Sequence, residues 1–310
     1  MSTIIAVQRK GKMARNSTTF SKANTPEQNM RLTQNWMSQL WKSQPQFDPG
    51  VKISTHMHYG EQTKHVVWTL PQSLEWLELI HITDVQFGHI FCKNERVIEY
   101  RDWVLSKPNR YMLWGGDMID AFALMKSPGS PWEEIGNSQS QANQFAEIWG
   151  PARHRILGYV GGNHERRGLS SFGDLGVYIA NLLQIPYSAG QQFIDINFGK
   201  WQSFRVHLYH GRGASRTKGA KLNMVHEMMK KSDCDLVLVG HLHDVLSTFD
   251  WRVVRDKHDK IVLRKQGGAM SSSFLEFWGT YAEIMGMNPS DVMMACATVF
   301  PSGHWRLQFQ

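Results

Sequence analysis

Short apolar runs, each followed by glycine or polar residues, recur along the chain from about residue 51. Four of these runs have the length and composition of buried strands: Leu77–Ile82, Tyr111–Trp114, Ile156–Val160 and Leu236–Val239. Segments with helical spacing accompany them, at residues 93–106, 138–149, 173–185 and 217–231. Further β-like segments occur near residues 193–196, 204–208, 246–254, 260–265, 292–299 and 304–309. Strands that alternate with helices and then follow one another predict an α/β (mixed α+β) domain of layered sheets flanked by helices.

The first 50 residues lack this pattern. Residues 1–24 are basic and rich in Ser, Thr, Asn and Lys without a sustained period, which is typical of a flexible arm. Thr25 and Pro26 are typical of a helix start, and the helix would run to about Ser43. We therefore expect an N-terminal extension at 1–50, made of a basic arm plus a helix, and a main domain at 51–310. The helix would pack on the main domain or, with the arm, bind nucleic acid.

Composition narrows the class of protein. Hydrophobic residues make up 42% of the chain, enough for a sizeable core, in which we expect Trp103, Trp114 and Trp251. The three cysteines are far apart and form no CxxC motif, which is typical of a reducing compartment. No stretch of 18 apolar residues occurs, so no membrane span is expected. The first residues lack the order of a signal peptide, and we therefore expect a cytoplasmic protein.

The net charge of +7 favours a polyanionic partner or substrate. Seven Lys or Arg residues against two acidic residues fall in the first 50 positions, which leaves a net charge of only +2 on the remaining 260. The basic arm therefore explains the charge better than a basic active-site face does.

Polar residues of metal-binding types follow five of the strand-like runs. They are Asp84 and Gln86, Asp117 and Asp120, Asn163 and His164, His210, and finally His241 and His243. Because the carboxyl ends of strands in an α/β sheet share one crevice, these side chains can meet in one place. A carboxylate has two oxygens and can bridge two cations, and the mixed nitrogen and oxygen set fits Mn²⁺, Fe, Zn²⁺ or Co²⁺ better than Ca²⁺. The pattern predicts a hydrolytic centre with two metal ions.

The motifs DxQ, GDxxD, GNHE, HG and GHxH stand in this order over about residues 77–245 and resemble those of the calcineurin-like metallophosphoesterases. This resemblance implies a four-layer αββα sandwich of two mixed β-sheets flanked by helices. It also implies hydrolysis of phosphoesters by a metal-bound hydroxide. One metal ion would be held by Asp84, Gln86, Asp117 and His243. The second would be held by Asp117, Asn163, His210 and His241.

Two catalytic roles are also implied by the resemblance. His164 would protonate the leaving oxygen or stabilise the transition state from outside the coordination shell, and Asp120 would orient it. Asp120 could instead cap a helix that starts near Ala121. Arg166 could clamp a phosphate or be solvated. His89 could replace a ligand, contact the substrate or be structural.

The substrate is left open by the sequence. We expect a metal-dependent phosphoric ester hydrolase acting on phosphodiester or phosphomonoester bonds, with a DNA nuclease as the first choice because of the basic arm. The chain continues for only 67 residues after His243, which leaves little room for the capping region of the recombination nucleases that resemble it. A nucleotide or small-molecule phosphodiesterase or pyrophosphatase is therefore the second choice, and a Ser/Thr protein phosphatase the third. A non-catalytic metal-binding scaffold comes last. Nucleic acid is a candidate partner, and no membrane is expected.

Gln86 departs from the histidine that most of the family has at this position. Glutamine is a neutral oxygen donor and a weaker ligand for Zn²⁺ or Fe, so Mn²⁺ is the expected ion, with Fe, Zn²⁺, Co²⁺ or Mg²⁺ as alternatives. We predict that Gln86→His tightens the binding of Zn²⁺ or Fe. Metal titrations of the two proteins would measure this, and unchanged dissociation constants would contradict it.

Overall fold

The computed structural model describes residues 50–53, 63–121, 133–169, 173–199, 203–256 and 258–310. These residues belong to the larger of two units into which the chain divides, Ser43–Gln310. The predicted basic arm and the predicted helix of residues 25–43 lie outside the described residues, as does most of the loop expected at 121–137. No helix in the described ranges is both long enough and apolar enough to cross a membrane.

The described strands form two mixed sheets. Sheet A has seven strands in the spatial order β1 (Lys52–Ile53), β2 (His65–Thr69), β7 (Gln191–Asn197), β8 (Phe204–Tyr209), β9 (Leu236–Val239), β11 (Ile261–Met270) and β10 (Leu246–Arg255). Sheet B has six, in the order β13 (Trp305–Phe309), β12 (Ala295–Val299), β3 (Leu77–Ile82), β4 (Arg110–Trp114), β5 (Ile156–Val160) and β6 (Tyr187–Ser188). β3, β4 and β5 are parallel, as are β8 and β9. Their carboxyl ends therefore meet at common edges.

Five α-helices and one 3₁₀ helix connect the described strands. They are α1 (Asn94–Leu105), α2 (Ser138–Trp149), the 3₁₀ helix Gly150–Arg155, α3 (Leu175–Leu183), α4 (Lys218–Lys230) and α5 (Tyr281–Ile284). Their starts follow the capping rules. The Asn137 side chain accepts a hydrogen bond from the amide of Ser140 at 2.8 Å, and the hydroxyl of Thr217 accepts one from the amide of Ala220.

The core lies between the two sheets. Side chains alternate along a strand, so Tyr111 and Leu113 of β4 join apolar residues of sheet A in a buried cluster. Trp114 points to the other face, where its ring packs 5.3 Å from that of Phe145 and 5.4 Å from that of Trp149, both on α2. Helix α4 covers the outer face of sheet A with a methionine-rich cluster. The layers run helix, sheet, sheet, helix, which confirms the predicted αββα sandwich.

Most predicted elements are confirmed within a few residues of their expected bounds. Strands β1, β2 and β6, the 3₁₀ helix and helix α5 were not predicted. The core assignment of Trp251 is wrong, since its side chain is 67% exposed. Trp251 lies on the edge strand β10 and pairs with Lys265 of β11. Strand β9 pairs only with the later residues of β11, Gly267–Met270. Trp103 is half-buried, with the Arg110 guanidinium 3.8 Å from its ring centroid.

The contact of Trp149 with Trp114 and Phe145 joins α2 to sheet B. We predict that Trp149→Ala lowers the free energy of unfolding by about 3–5 kcal/mol, because it opens a cavity in a fully buried aromatic cluster. Urea unfolding would measure this. Trp278, which is 71% exposed, provides the control, and its change to alanine should cost less than about 0.5 kcal/mol. Equal losses for the two variants would contradict the assigned packing.

Candidate metal centre

The ends of five strands deliver the candidate ligands to one region. Asp84 follows β3, Asp117 follows β4 and Asn163 follows β5, while His210 and His241 follow β8 and β9. The two sheets are joined here by direct hydrogen bonds. The amide of His241 donates to Oδ2 of Asp84 at 2.8 Å, and the Nδ1 atom of His210 donates to the carbonyl of Gly115, also at 2.8 Å.

Five of these residues have left-handed backbone conformations, which non-glycine residues rarely adopt. Their φ angles are 51° at Asp84, 50° at Gln86, 52° at Asp117, 71° at His241 and 47° at His243. Two backbone hydrogen bonds between the loops stabilise these strained conformations. The amide of Asp84 donates to the carbonyl of Gly116, and the amide of Gln86 donates to the carbonyl of Asp117. The turn at His241 and His243 brings both imidazoles to the site, although residues two apart on a strand would face opposite ways.

One group of side chains surrounds Asp84. Its Oδ1 atom lies 3.2 Å from Nε2 of His243, and its Oδ2 atom accepts a hydrogen bond from the hydroxyl of Thr83. The side-chain nitrogen of Gln86, Nε2, lies 3.4 Å from the same Nε2 atom of His243. Asp84, Gln86 and His243 are therefore neighbours in this first group.

A second group surrounds Asp117. Ligand atoms of Asp117, His210 and His241 all lie within 4.8 Å of one another. Nε2 of His210 is 3.2 Å from Oδ2 of Asp117 and 3.1 Å from Oδ1 of Asn163. Nε2 of His241 donates to the carbonyl of Gly213 at 2.8 Å, which leaves the lone pair on its Nδ1 atom. An imidazole whose other nitrogen is fixed by a carbonyl in this way is typical of metal ligation.

The electrostatics of the centre favour a cation. Burial lowers the pKa of His210, but the Asp117 carboxylate outweighs burial and raises it to about 10. Burial also acts to raise the pKa of Asp84 and of Asp117, yet His243 lowers the first and His164 with His210 lower the second. The buried carboxylates thus attract positive charge, and a proton on His210 partly supplies it.

The donors of the centre fit a divalent cation. The side-chain oxygen of Gln86 is buried and accepts no hydrogen bond from any described residue, although a buried carbonyl oxygen normally has a partner. Carboxylate, amide and imidazole donors together suit Mn²⁺, Fe, Zn²⁺ or Co²⁺. A candidate His/Asp metal site is therefore present.

His164 lies beside these groups and is tied to Asp120. Its Nδ1 atom is 2.7 Å from Oδ1 of Asp120, and its Nε2 atom is 3.5 Å from Oδ2 of Asp117. Nη2 of Arg167 donates to Nε2 of His164 at 2.6 Å, and Nη1 donates to the carbonyl of Asp120 at 2.9 Å. In this arrangement Nε2 of His164 accepts a hydrogen bond from Arg167, and Nδ1 faces the Asp120 carboxylate.

A cavity of about 200 Å³ opens over the centre. Its lining includes Gln86, Asp117, Asp120, Asn163, His164, Arg167, His241 and His243. His89 is buried in the same wall, where its Nδ1 atom accepts a hydrogen bond from the amide of Phe91. Arg166 is exposed and is not part of the lining, and the arginine that faces the cavity is its neighbour Arg167. No local pattern distinguishes Arg166 from Arg167 in the sequence.

Glu165 is a second residue whose role the sequence reasoning missed. Its buried carboxylate accepts hydrogen bonds from the amides of Asp117 at 3.1 Å, Met118 at 2.6 Å and Gly162 at 2.9 Å, and from the Tyr159 hydroxyl at 3.0 Å. Burial and the nearby Asp117 carboxylate raise the pKa of Glu165, while the backbone donors oppose this rise. Glu165 thereby joins the loop after β4 to the loop after β5. In the sequence, only the position of Glu165 directly after Asn163 and His164 indicates such a role.

The same two loops also require glycine. A Cβ atom at Gly162 would lie 2.0 Å from Oδ1 of Asp117, and one at Gly116, where φ is 94°, would lie 2.6 Å from the amide nitrogen of Gly162. A side chain at Gly162 would displace the Asp117 carboxylate, and one at Gly116 would force the two loops apart.

No family model and no curated protein match the sequence. Solved structures do match over about three quarters of the chain. A conserved Streptococcus pneumoniae protein, described as a predicted phosphoesterase, is similar at 12% identity and a TM-score of 0.34, covering 77% of this chain and 100% of its own. A Vps29 single mutant from Entamoeba histolytica has 12% identity, a TM-score of 0.38 and coverages of 76% and 98%. The Pseudomonas putida nuclease MPE has 14% identity, a TM-score of 0.31 and coverages of 75% and 87%.

The two mixed sheets and the four layers observed here are those implied by the resemblance to the calcineurin-like metallophosphoesterases. The strand pairings place the DxQ, GDxxD and GNHE motifs at neighbouring strand ends.

We predict that Glu165→Ala weakens Mn²⁺ binding about 10- to 100-fold, because three backbone amides lose their acceptor and Asp117 is no longer fixed. Isothermal titration calorimetry would measure the affinity. Glu147→Gln, an exposed change on α2, is the matched control and should bind Mn²⁺ as the wild type does. Unchanged affinity in a folded Glu165→Ala protein would contradict the role given to Glu165.

Proposed function

We propose that the protein is a phosphoesterase that uses two divalent metal ions to hydrolyse phosphodiester bonds. The observation that carries this proposal is the arrangement of two ligand groups that share the Asp117 region, beside the hydrogen-bonded pair of His164 and Asp120. Each group alone would suit a structural ion, but a cavity over both groups and a histidine outside them suit hydrolysis.

The ligands divide between two positions. Asp84, Gln86 and His243 would hold one ion, while Asn163, His210 and His241 would hold the other, with Asp117 between them. When bound, a pair of divalent ions supplies compensation for phosphoryl charge and lowers the pKa of a water molecule. The oxygen of Gln86 makes Mn²⁺ the first choice for this pair.

The His164–Asp120 pair would act at the leaving group. Once Arg167 has left Nε2, His164 would take up a proton there from solvent, with Asp120 at Nδ1 stabilising the imidazolium. Nε2 would then deliver this proton to the leaving oxygen. Nε2 of His164 is hydrogen-bonded to Nη2 of Arg167 at 2.6 Å, so the Arg167 side chain must move away before a leaving oxygen can reach His164. The guanidinium that turns away is then free to contact a phosphoryl oxygen.

The shape of the cavity bears on the substrate. The open cavity of about 200 Å³ would hold the phosphoryl group over the two ligand groups, and the rest of the substrate would extend from it. Arg167 and the exposed Arg216 line the cavity and would attract an anionic ester. This is compatible with DNA, with a nucleotide and with a small diester, and a panel of these substrates separates them.

We predict Mn²⁺-dependent hydrolysis of bis-p-nitrophenyl phosphate by the full chain. His164→Asn should lower kcat about 10²- to 10⁴-fold, because a general acid is lost, while Mn²⁺ affinity is kept. Asp117→Asn should weaken both metal binding and activity. Glu147→Gln should leave both unchanged.

The same assay would then be run on single- and double-stranded DNA, nucleotides and a phosphopeptide. Absence of turnover on every substrate by a folded, Mn²⁺-loaded protein would overturn the proposal and favour a metal-binding scaffold.

A further inference from the structure

A second carboxyl group, that of Glu134, lies beside Asp120 in the lining of the cavity. Residues 133–135 lie along residues 88–90, with hydrogen bonds from the amide of Ile90 to the carbonyl of Glu133 and from the amide of Ile135 to that of Gly88. This pairing brings the side chain of Glu134 into the cavity wall, where it forms a hydrogen bond with the side chain of Asp120. The contact between His164 and Asp120 does not itself involve Glu134.

Two carboxyl groups can form a hydrogen bond only when one of them holds a proton. The surroundings decide which one does. Asp120 faces Nδ1 of His164 at 2.7 Å and the guanidinium of Arg167 at 3.3 Å, and both favour a charged carboxylate. Glu134 faces the neutral amide of Gln141, whose Nε2 atom donates to Oε2 of Glu134. The proton therefore belongs on Glu134.

The pKa shifts agree with this geometry. Burial and the hydrogen bond with Asp120 raise the pKa of Glu134 to about 9. Burial acts to raise the pKa of Asp120 as well, but the hydrogen bonds with His164 and Glu134 outweigh burial and lower it. Gln141 is itself fixed, because its Oε1 atom accepts a hydrogen bond from the amide of Ala121 at 2.9 Å. The amide of Gln141 is thus turned with its donor toward Glu134.

We propose that Glu134, as a neutral carboxylic acid, is a positioning residue that donates a hydrogen bond to Asp120 and thereby fixes the orientation of His164. The inference rests on the proposed function and adds a third member to the His164–Asp120 pair. Glu134 contacts Asp120 and acts on the reaction through it.

Ionisation of Glu134 would set an alkaline limit. The charged or titratable groups around it are Asp120, Arg167, His164, His89 and Glu133. Below about pH 9 the proton is present and the hydrogen bond to Asp120 is intact. Above this pH two adjacent carboxylates repel each other, and Asp120 is pushed away from His164.

The same proton makes stability depend on pH. The pKa of Glu134 is higher in the folded protein than the value of 4.5 expected for an exposed glutamate. Between these two values the native state holds a proton that the unfolded state lacks, so this contribution to stability is complete at low pH and is lost as the pH rises through this window. Glutamine keeps one acceptor and one donor without titrating, so Glu134→Gln should melt at a higher temperature than the wild type at neutral pH and equally at acid pH.

The test compares Glu134→Gln and Glu134→Ala with the wild type and with Glu147→Gln. On bis-p-nitrophenyl phosphate with Mn²⁺, alanine should lower kcat roughly tenfold, part of the loss expected when a general acid is removed entirely. Glutamine should stay within about twofold of the wild type and keep its activity above pH 9. Equal losses in the two Glu134 variants, or an unchanged alkaline limit with glutamine, would overturn the proposal.

Two measurements do not depend on enzymatic activity. They test the positioning role of Glu134 separately from the proposed phosphoesterase function. The melting temperatures of wild type and Glu134→Gln, followed from acid to alkaline pH, report the proton on Glu134. The downfield NMR signal of the His164 Nδ1 proton should persist in Glu134→Gln and be shifted or lost in Glu134→Ala. If both hold and no substrate is hydrolysed, the proposed function fails while the positioning role stands. If melting shows no pH-dependent difference and the signal is unchanged in alanine, the positioning role fails.

Discussion

One buried carboxylate, that of Glu165, determines whether the centre can exist. It accepts hydrogen bonds from three amides on the loops after β4 and β5, so the loop that carries Asp117 and the loop that carries Asn163 and His164 are held as one unit. Gly116 and Gly162 allow these loops to approach at distances that a Cβ atom would forbid. The ligand positions thus depend on a residue that would bind neither metal nor substrate.

The centre also concentrates negative charge and backbone strain. Asp84, Asp117 and Glu165 are fully buried, and several neighbours have left-handed backbone conformations that cost free energy. His210 offsets part of the charge by retaining a proton, with its pKa raised to about 10. A divalent ion would replace that proton, so metal binding is expected to release protons and to depend on pH.

Most of the fold could be predicted from the sequence, because β3, β4, β5 and β9 are buried on both faces and read as continuous apolar runs. The residues of the five motifs lie together because each follows such a run. The exposure of Trp251 could not be predicted, because the pattern of apolar residues along β10 does not show that this strand lies at the edge of sheet A. Arg167, Glu165 and Glu134 escaped notice because their roles depend on contacts between loops, which no local pattern encodes.

The order of strands in sheet B has a consequence for folding. β3, which precedes Asp84, pairs with β12, and β12 pairs with β13 at residues 305–309. The strand beside the first candidate ligand therefore pairs with a segment that lies far from it along the chain. Long-range pairings of this kind form late in folding, because a long loop must close first. Metal uptake is accordingly expected only after β12 has paired with β3, and a bound ion would report that this part of sheet B has formed.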